Sequence, residues 1–163
     1  MAGSVDYFLK LEGIEGESAD AKHKGEIDVE SWSVGASQSG TMAFGGGGGA
    51  GKVNMQDFHF TMKVNKASPK LMLACATGEH IKKGTLTCRK AGKEQQEFMK
   101  VVMSDILVSS YQQGGQNTSD VIPMEQISLN FAKIEWEYKP QKPDGTLDAP
   151  VKAGYDLKAN KAV

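Results

Sequence analysis

The 163 residues are enough for one domain with a buried core, and we expect the whole chain, 1–163, to form it. Hydrophobic residues make up 39% and charged residues 24%, and the formal net charge is -1, which argues against nucleic acid or an anionic membrane as a partner. No apolar run approaches the roughly 20 residues that span a bilayer, and the N-terminus lacks the basic start and hydrophobic segment of a signal peptide. We therefore expect a protein that folds in the cytoplasm.

A strand is predicted at the N-terminus because apolar residues recur at every second position from 5 to 11. The alternate positions include Phe8 but are otherwise charged, so we expect one apolar face. The segment 17–26 is too short and too charged for a core helix, and a polar loop is predicted there.

A second strand is predicted over 27–35, with Trp32 on its apolar face and Ser31 and Ser33 on a small, polar face. A third strand is predicted after residue 53, because apolar residues recur at every second position from Phe58. Between these strands lies a stretch that is almost entirely glycine.

This stretch nearly matches the phosphate-binding pattern G-x-x-x-x-G-K between Gly46 and Lys52. The match fails at Val53, where the pattern needs a Ser or Thr hydroxyl for magnesium, and the segment that follows has the period of a strand. The better interpretation is a long flexible loop, because fixing each backbone residue costs roughly 1–2 kcal/mol and glycine gains most from disorder. We expect something outside the subunit to receive this loop.

One helix is predicted after residue 66. Ser68 is a candidate N-cap, Pro69 suits the first turn, and Gly78 is placed to end the helix. Met72 and Cys75 share a helical spacing and are predicted to contact the core.

The rest of the chain is predicted to be mostly β. A bulge is expected near residues 104–105, and the polar segment 112–120 is expected to be a loop. The predicted strands are 85–90, 98–108, 124–138 and 154–157. Seven or eight strands and one helix indicate a mainly antiparallel sheet closed into a barrel or sandwich.

Residues with reactive side chains give little sign of catalysis. Cys75 and Cys88 suit reduced thiols better than a disulfide in a cytoplasmic protein. His23, His59 and His80 show no metal-ligand spacing, and although a zinc site that combines them with the cysteines stays open, nothing calls for one. We therefore predict no enzyme activity and no cofactor.

Several motifs, in the same order along nearly the whole chain, resemble the haemolysin-coregulated protein (Hcp) family of type VI secretion systems. They are Glu26-Ile27-Asp28-Val29, Trp32-Ser33, Ser37-Gln38-Ser39-Gly40, Gly51-Lys52-Val53, Asp57-Phe58, Ser68-Pro69-Lys70-Leu71-Met72, Arg89-Lys90-Ala91-Gly92, Leu129-Asn130-Phe131-Ala132 and Gly154-Tyr155-Asp156. The resemblance implies an antiparallel β-barrel of two packed sheets, with one flanking helix and a long glycine-rich extended loop.

The same resemblance implies a structural role. Hexameric rings would stack into the inner tube of a contractile machine, carry small effectors in the lumen and be secreted into a neighbouring cell. The other implied partners are a VgrG-like spike protein and the sheath proteins. Because ordering about eight loop residues costs on the order of 8–16 kcal/mol per subunit, we expect tubes only at high concentration or on a nucleating platform.

The resemblance also assigns residues. Ser33, with Ser31 beside it, is expected to face the lumen and contact cargo. Contacts between subunits or rings are expected from Ser39, Gly40, Thr41, Met42, Phe44, Gly45, Gly46, Gly47, Gly48, Gly49, Gly51 and Lys52. The alternatives are a monomeric ligand-binding barrel and a protein that binds nucleotide through the glycine-rich stretch.

Overall fold

The computed structural model describes residues 4–40, 52–92, 94–117 and 122–163. The glycine-rich loop predicted between the second and third strands falls almost wholly outside these residues. Within them, the elements are β1 (Val5–Leu11), β2 (Ile27–Asp28), β3 (Ser31–Ser33), β4 (Ala36–Ser37), β5 (Asn54–Met55), β6 (Phe58–Lys63), α1 (Ser68–Thr77), β7 (His80–Lys90), β8 (Gln96–Gly114), β9 (Met124–Tyr138), β10 (Val151–Asp156) and β11 (Lys161–Ala162).

The strands close into an antiparallel barrel, as predicted. Hydrogen bonding runs in the order β1, β7, β8, β9, β6 and β3. Two neighbouring backbone amides close the circle, because Val29 N donates to Tyr7 O at 3.0 Å while Glu30 N donates to Thr61 O at 2.9 Å. The chain between β2 and β3 therefore joins the first strand of the barrel to the last.

This closure explains why the predicted strand over 27–35 is broken. β2 pairs with β1, whereas β3 pairs with β6, so the chain changes partner at residues 29–30. β4 then pairs with β5 in a separate two-stranded sheet. Val29 is buried while Ser31 and Ser33 are exposed, so these residues do not form the single face that alternation predicted.

The barrel interior is filled by side chains that alternate along the strands. On β6, the predicted alternation is confirmed, because Phe58, Phe60 and Met62 are each at most 1% exposed. On β9, Leu129 lies between β6 and β8 and is fully buried. Complete burial of each large apolar side chain contributes roughly 1.5–3 kcal/mol, so this interior is the main source of stability.

The longest pair of strands is β8 with β9. The prediction of a strand over 124–138 is confirmed at both ends, but β8 runs to Gly114 and takes in the start of the predicted loop over 112–120. The register between the strands shifts between Val108 and Ser110. The predicted bulge at residues 104–105 is wrong in its position, although Asp105 there adopts a left-handed φ of 52°.

The helix lies where it was predicted, but two of its residues act differently. Gly78 ends it in the left-handed conformation, as expected. Ser68 does not cap it, because Ala67 occupies the N-cap and the Ser68 hydroxyl donates to the buried carboxylate of Glu125. Met72 is 48% exposed and is therefore not the core contact that its spacing suggested.

Phe8 also differs from its prediction, because it is 4% exposed although it lies on the charged side of β1. The imidazole of His23 stacks on its ring, with 4.4 Å between centroids. The loop that carries His23 therefore covers this outer side of the barrel. None of the helices in the described part of the chain is long and apolar enough to cross a membrane.

Candidate functional site

The two serines predicted to face cargo lie on the same side of β3. Ser31 and Ser33 are both exposed, and Trp32 between them is half-buried on the opposite side. The indole of Trp32 stacks near Phe58 with 6.0 Å between ring centroids, and meets Tyr7 edge-on at 6.1 Å. Trp32 thus anchors β3 to the core and leaves the two serines facing outwards.

Strand register extends these serines into two rows that run across β3, β6, β9 and β8. The first row is Ser33, His59, Ser128 and Ser110, and the second is Ser31, Thr61, Gln126 and Gln112. The rows are two residues apart along the strands, so both lie on one side of the sheet. We call these eight residues the polar face.

The polar face is concave and hydrogen-bonded within itself. It lines a cavity of about 620 Å³. Ser31 Oγ lies 2.6 Å from Thr61 Oγ1, and Ser128 Oγ lies 2.5 Å from His59 Nδ1. None of the eight side chains is an acid, a lysine or an arginine, so the face has no permanent charge. It can donate and accept many hydrogen bonds over a broad area.

Among the residues that the structure describes, no carboxylate is hydrogen-bonded to the second ring nitrogen of His59, the partner of Ser128. A hydrolytic triad needs an acid on the second ring nitrogen to orient the imidazole. The nearest acid in sequence, Asp57, instead accepts hydrogen bonds from Ser109 at 2.6 Å and Asn130 at 2.9 Å. The described residues therefore offer a binding surface rather than an assembled nucleophile.

The described residues also give no support for a cysteine nucleophile or a metal site. Cys75 and Cys88 are free thiols, and burial raises the pKa of Cys88 to about 12, so this thiol stays protonated at neutral pH. Among the residues that the structure describes, no group of three His, Cys, Asp or Glu side chains could hold a metal ion.

Three of the residues predicted to contact other subunits are described. Ser39, Gly40 and Lys52 are exposed and flank the two-stranded sheet of β4 and β5. That sheet holds the two ends of the intervening chain side by side. The others lie outside the described residues: Thr41, Met42, Phe44, Gly45, Gly46, Gly47, Gly48, Gly49 and Gly51.

Besides the single residues Val5, Ile122 and Val163, two pairs of neighbouring large apolar side chains are exposed among the described residues. Met72 and Leu73 are 48% and 53% exposed on α1. In the second pair, β10 presents Val151 at 64% exposure, beside its register partner Tyr138 on β9 at 48%. These two surfaces lie on different elements, and neither is part of the polar face.

Sequence reasoning found Ser31 and Ser33, two of the eight polar-face residues. It missed His59 and Thr61, although their alternation with the buried residues of β6 was a usable signal. Residues from β8 and β9 join the face only through strand register, for which the sequence has no local signal. Alternation placed Gln126 and Ser128 together on one side of β9, opposite Ile127 and Leu129, but did not show which strands lie beside them.

The comparisons with known proteins support this antiparallel β fold with one helix and show the family to which the chain belongs. The family model for "Type VI secretion system effector, Hcp" matches residues 8–138. The chain belongs to the Hcp family of type VI secretion system proteins.

Individual relatives cover nearly all of the chain. Protein hcp1 of Pseudomonas aeruginosa is 48% identical over 159 residues, which are 96% of this chain and 98% of that protein. The crystal structure of Hcp1 from Salmonella typhimurium is 34% identical with a TM-score of 0.80, covering 98% of this chain and all of that one. A solved type six secretion system protein is 30% identical with a TM-score of 0.93 and the same coverage.

Proposed function

We propose that this protein is a structural subunit of the type VI inner tube and has no enzymatic role. Six subunits form a ring, and rings stack into a tube that carries small effectors in its lumen. The observation that carries the proposal is the polar face, a concave surface across four strands of an Hcp-family barrel.

Ring formation is supported by the two exposed apolar surfaces. A head-to-tail ring needs two different surfaces that are complementary to each other, one on each side of the subunit. The helix supplies Met72 and Leu73, while β9 and β10 supply Tyr138 and Val151. Burying them between subunits would remove apolar area from water. In this proposal, Ser39, Gly40, Lys52 and the glycine-rich stretch add contacts to neighbouring subunits and to the next ring.

Cargo binding is supported by the chemistry of the polar face. Ser31 and Ser33 are small, so a folded effector can approach the wall closely. A face without permanent charge makes many moderate hydrogen bonds and so suits more than one effector. On assembly, we place this face towards the lumen.

A substitution in the polar face tests the cargo role. Ser33→Gln adds bulk beside His59, and we expect it to lower retention of a co-expressed small effector severalfold while rings still form by electron microscopy. Ser4→Gln is the matched control, because Ser4 is exposed immediately before β1 and lies outside the polar face. Equal retention by the two variants would contradict the cargo role.

The remaining partners follow from the same proposal. A spike protein of the VgrG type caps the tube, sheath proteins surround it, and the subunit stays in the cytoplasm until the machine fires. Neither nucleic acid nor membrane insertion is part of this proposal.

A monomeric ligand-binding barrel would need an enclosed apolar cavity, whereas side chains such as Phe58, Phe60 and Leu129 occupy the interior.

A further inference from the structure

The side chains of the polar face differ in whether they already have hydrogen-bond partners. Four of them are joined in the two pairs described above. At the β8 end of the face, no hydrogen bond joins the side chain of Ser110, Gln112 or Gln126 to another residue in the described part of the chain. All three residues are exposed, and we call them the amide patch. Ser33, the other member without such a bond, lies at the opposite edge on β3.

Strand register brings the two glutamines of the amide patch together. Gln112 on β8 and Gln126 on β9 are directly opposite one another, and Ser110 is two residues from Gln112 along the same strand. Directly opposite residues in antiparallel strands have Cβ atoms about 4.5–5.5 Å apart. The two carboxamides therefore start side by side on the concave surface, where one bound chain can contact both.

The register shift between Val108 and Ser110 determines which side chains of β8 reach this surface. Because successive side chains point to opposite sides, one extra residue exchanges the two sides of the strand beyond it. Gln112 consequently lies on the polar face. Gln113 points to the opposite side, where its Nε2 donates to Glu125 Oε2 at 3.3 Å. The bulge thus directs an amide without a described partner to the cavity and an amide with a partner away from it.

The chemistry of the patch favours an uncharged ligand. A carboxamide carries two N–H donors and an oxygen with two lone pairs, but no charge. Another amide matches it, because each presents a donor and an acceptor side by side and the two can form a pair of hydrogen bonds. An ionised group would lose hydration on entering the patch and would find no opposite charge among the eight residues of the face.

We propose that the amide patch is the main cargo contact of the polar face, and that it binds uncharged amide groups of the cargo. The inference rests on the cargo role proposed above and makes it specific. Each hydrogen bond to an amide contributes modestly, so firm attachment depends on contacts repeated around a ring. The patch therefore selects cargo by exposed amides rather than by charge.

Fluorescence anisotropy with three labelled peptides tests the patch on the purified protein at pH 7.5. One peptide alternates Gln with Ser, the second alternates Gly with Ser and so offers main-chain amides alone, and the third alternates Glu with Ser. We expect the Gln peptide to bind and the Glu peptide, whose carboxylates have nearly the shape of the carboxamides, to bind much more weakly. Equal binding of the Gly peptide would assign the contact to main-chain amides, and weaker binding to side-chain amides; both results support the inference.

Two variants remove one carboxamide each with little change in size. Gln112→Met and Gln126→Met should each raise the Kd of the Gln peptide roughly 3- to 10-fold, which corresponds to one lost hydrogen bond. Gln95→Met is the matched control, because Gln95 is an exposed glutamine before β8 and outside the polar face. The Kd of the unmodified protein should change less than about twofold between 0.1 M and 1 M NaCl, since neither side of the contact is charged.

Light scattering on every variant separates this inference from the proposed ring, because it measures assembly without reference to the peptides. The inference is overturned if the unmodified protein binds none of the peptides, or binds the Glu peptide as tightly as the Gln peptide. It is also overturned if both polar-face variants bind the Gln peptide as tightly as Gln95→Met does. A mass of six chains with any of these results would leave the ring standing without the amide contact.

Discussion

Arg89 and Asp20 meet through two parallel hydrogen bonds, from Nη1 to Oδ1 at 3.0 Å and from Nη2 to Oδ2 at 2.6 Å. Arg89, the only arginine in the chain, is 2% exposed on β7, and Asp20 belongs to the segment 12–26 between β1 and β2, called the strap. The paired guanidinium holds the pKa of Asp20 well below its usual range, helped by the backbone N–H of Lys22. The contact therefore fastens the strap to the barrel more firmly when Asp20 is ionised.

Replacing Asp20 with asparagine should reveal this contribution through its pH dependence. A carboxyl whose pKa is lowered by folding stabilises the fold above its unfolded pKa, here near 3.8, and loses that contribution as pH falls further. We expect Asp20→Asn to lower the free energy of unfolding at pH 6, and the difference from the unmodified protein to shrink between about pH 5 and pH 2.5. Urea unfolding across that range measures it. Asp148→Asn, at an exposed site, is the control, and a difference that grows as pH falls would contradict the assignment.

Two leucines on α1 provide a matched pair for testing the helix. Leu71 is fully buried and Leu73 is 53% exposed. Leu71→Ala should cost about 2–5 kcal/mol of unfolding free energy, because it leaves a cavity in the core. Leu73→Ala should change the same quantity by less than about 0.5 kcal/mol in unassembled protein. Urea unfolding measures both, and equal losses would mean that the helix packs through a different side.

The buried carboxyl of Glu125 should respond to pH in the opposite sense from Asp20. Burial raises its pKa, although the Ser68 hydroxyl that donates to it lowers the pKa in part. A carboxyl whose pKa is raised by folding costs stability when ionised, and the cost disappears as pH falls through its folded pKa. We expect Glu125→Gln to raise the melting temperature at pH 7, with a gain that shrinks towards pH 4. A lower melting temperature at pH 7 would contradict this account.

Gly16 should be the least replaceable glycine of the strap. A Cβ there would lie 2.5 Å from Glu26 O, which is a backbone atom and cannot move aside. We expect Gly16→Ala to cost about 1–3 kcal/mol and to speed tryptic cleavage at the exposed Lys22 and Lys24. Gly115→Ala is the control, because its Cβ would meet Pro123 only at 3.7 Å. Similar cleavage rates for the two variants would refute the close approach.

The sequence predicted best the parts of the fold in which one strand alternates for many residues. β9 alternates from Glu125 to Phe131 and changes its buried face before Ile134, as predicted, and its ends were predicted correctly. The helix was bounded well because Pro69 fixes φ in the first turn, while Gly78 readily adopts the left-handed conformation that ends the helix. These signals are local, so no knowledge of neighbouring strands was needed.

The predictions differ from the structure where contacts with another strand or loop determine the local conformation. The break between β2 and β3 reflects a change of pairing partner from β1 to β6, and no residue near Val29 signals this change in the sequence. Phe8 is buried because His23 of the strap stacks on it, a contact between residues fifteen positions apart. For the same reason, sequence reasoning found Ser31 and Ser33 but not the six residues that register places beside them.

The most direct test of the proposed tube subunit is the mass of the purified protein in dilute buffer. Light scattering coupled to size exclusion, repeated over a hundredfold range of concentration, measures it without a shape assumption. The account predicts a ring of six chains, six times the 17.5 kDa of one chain. A single chain at every concentration would contradict it.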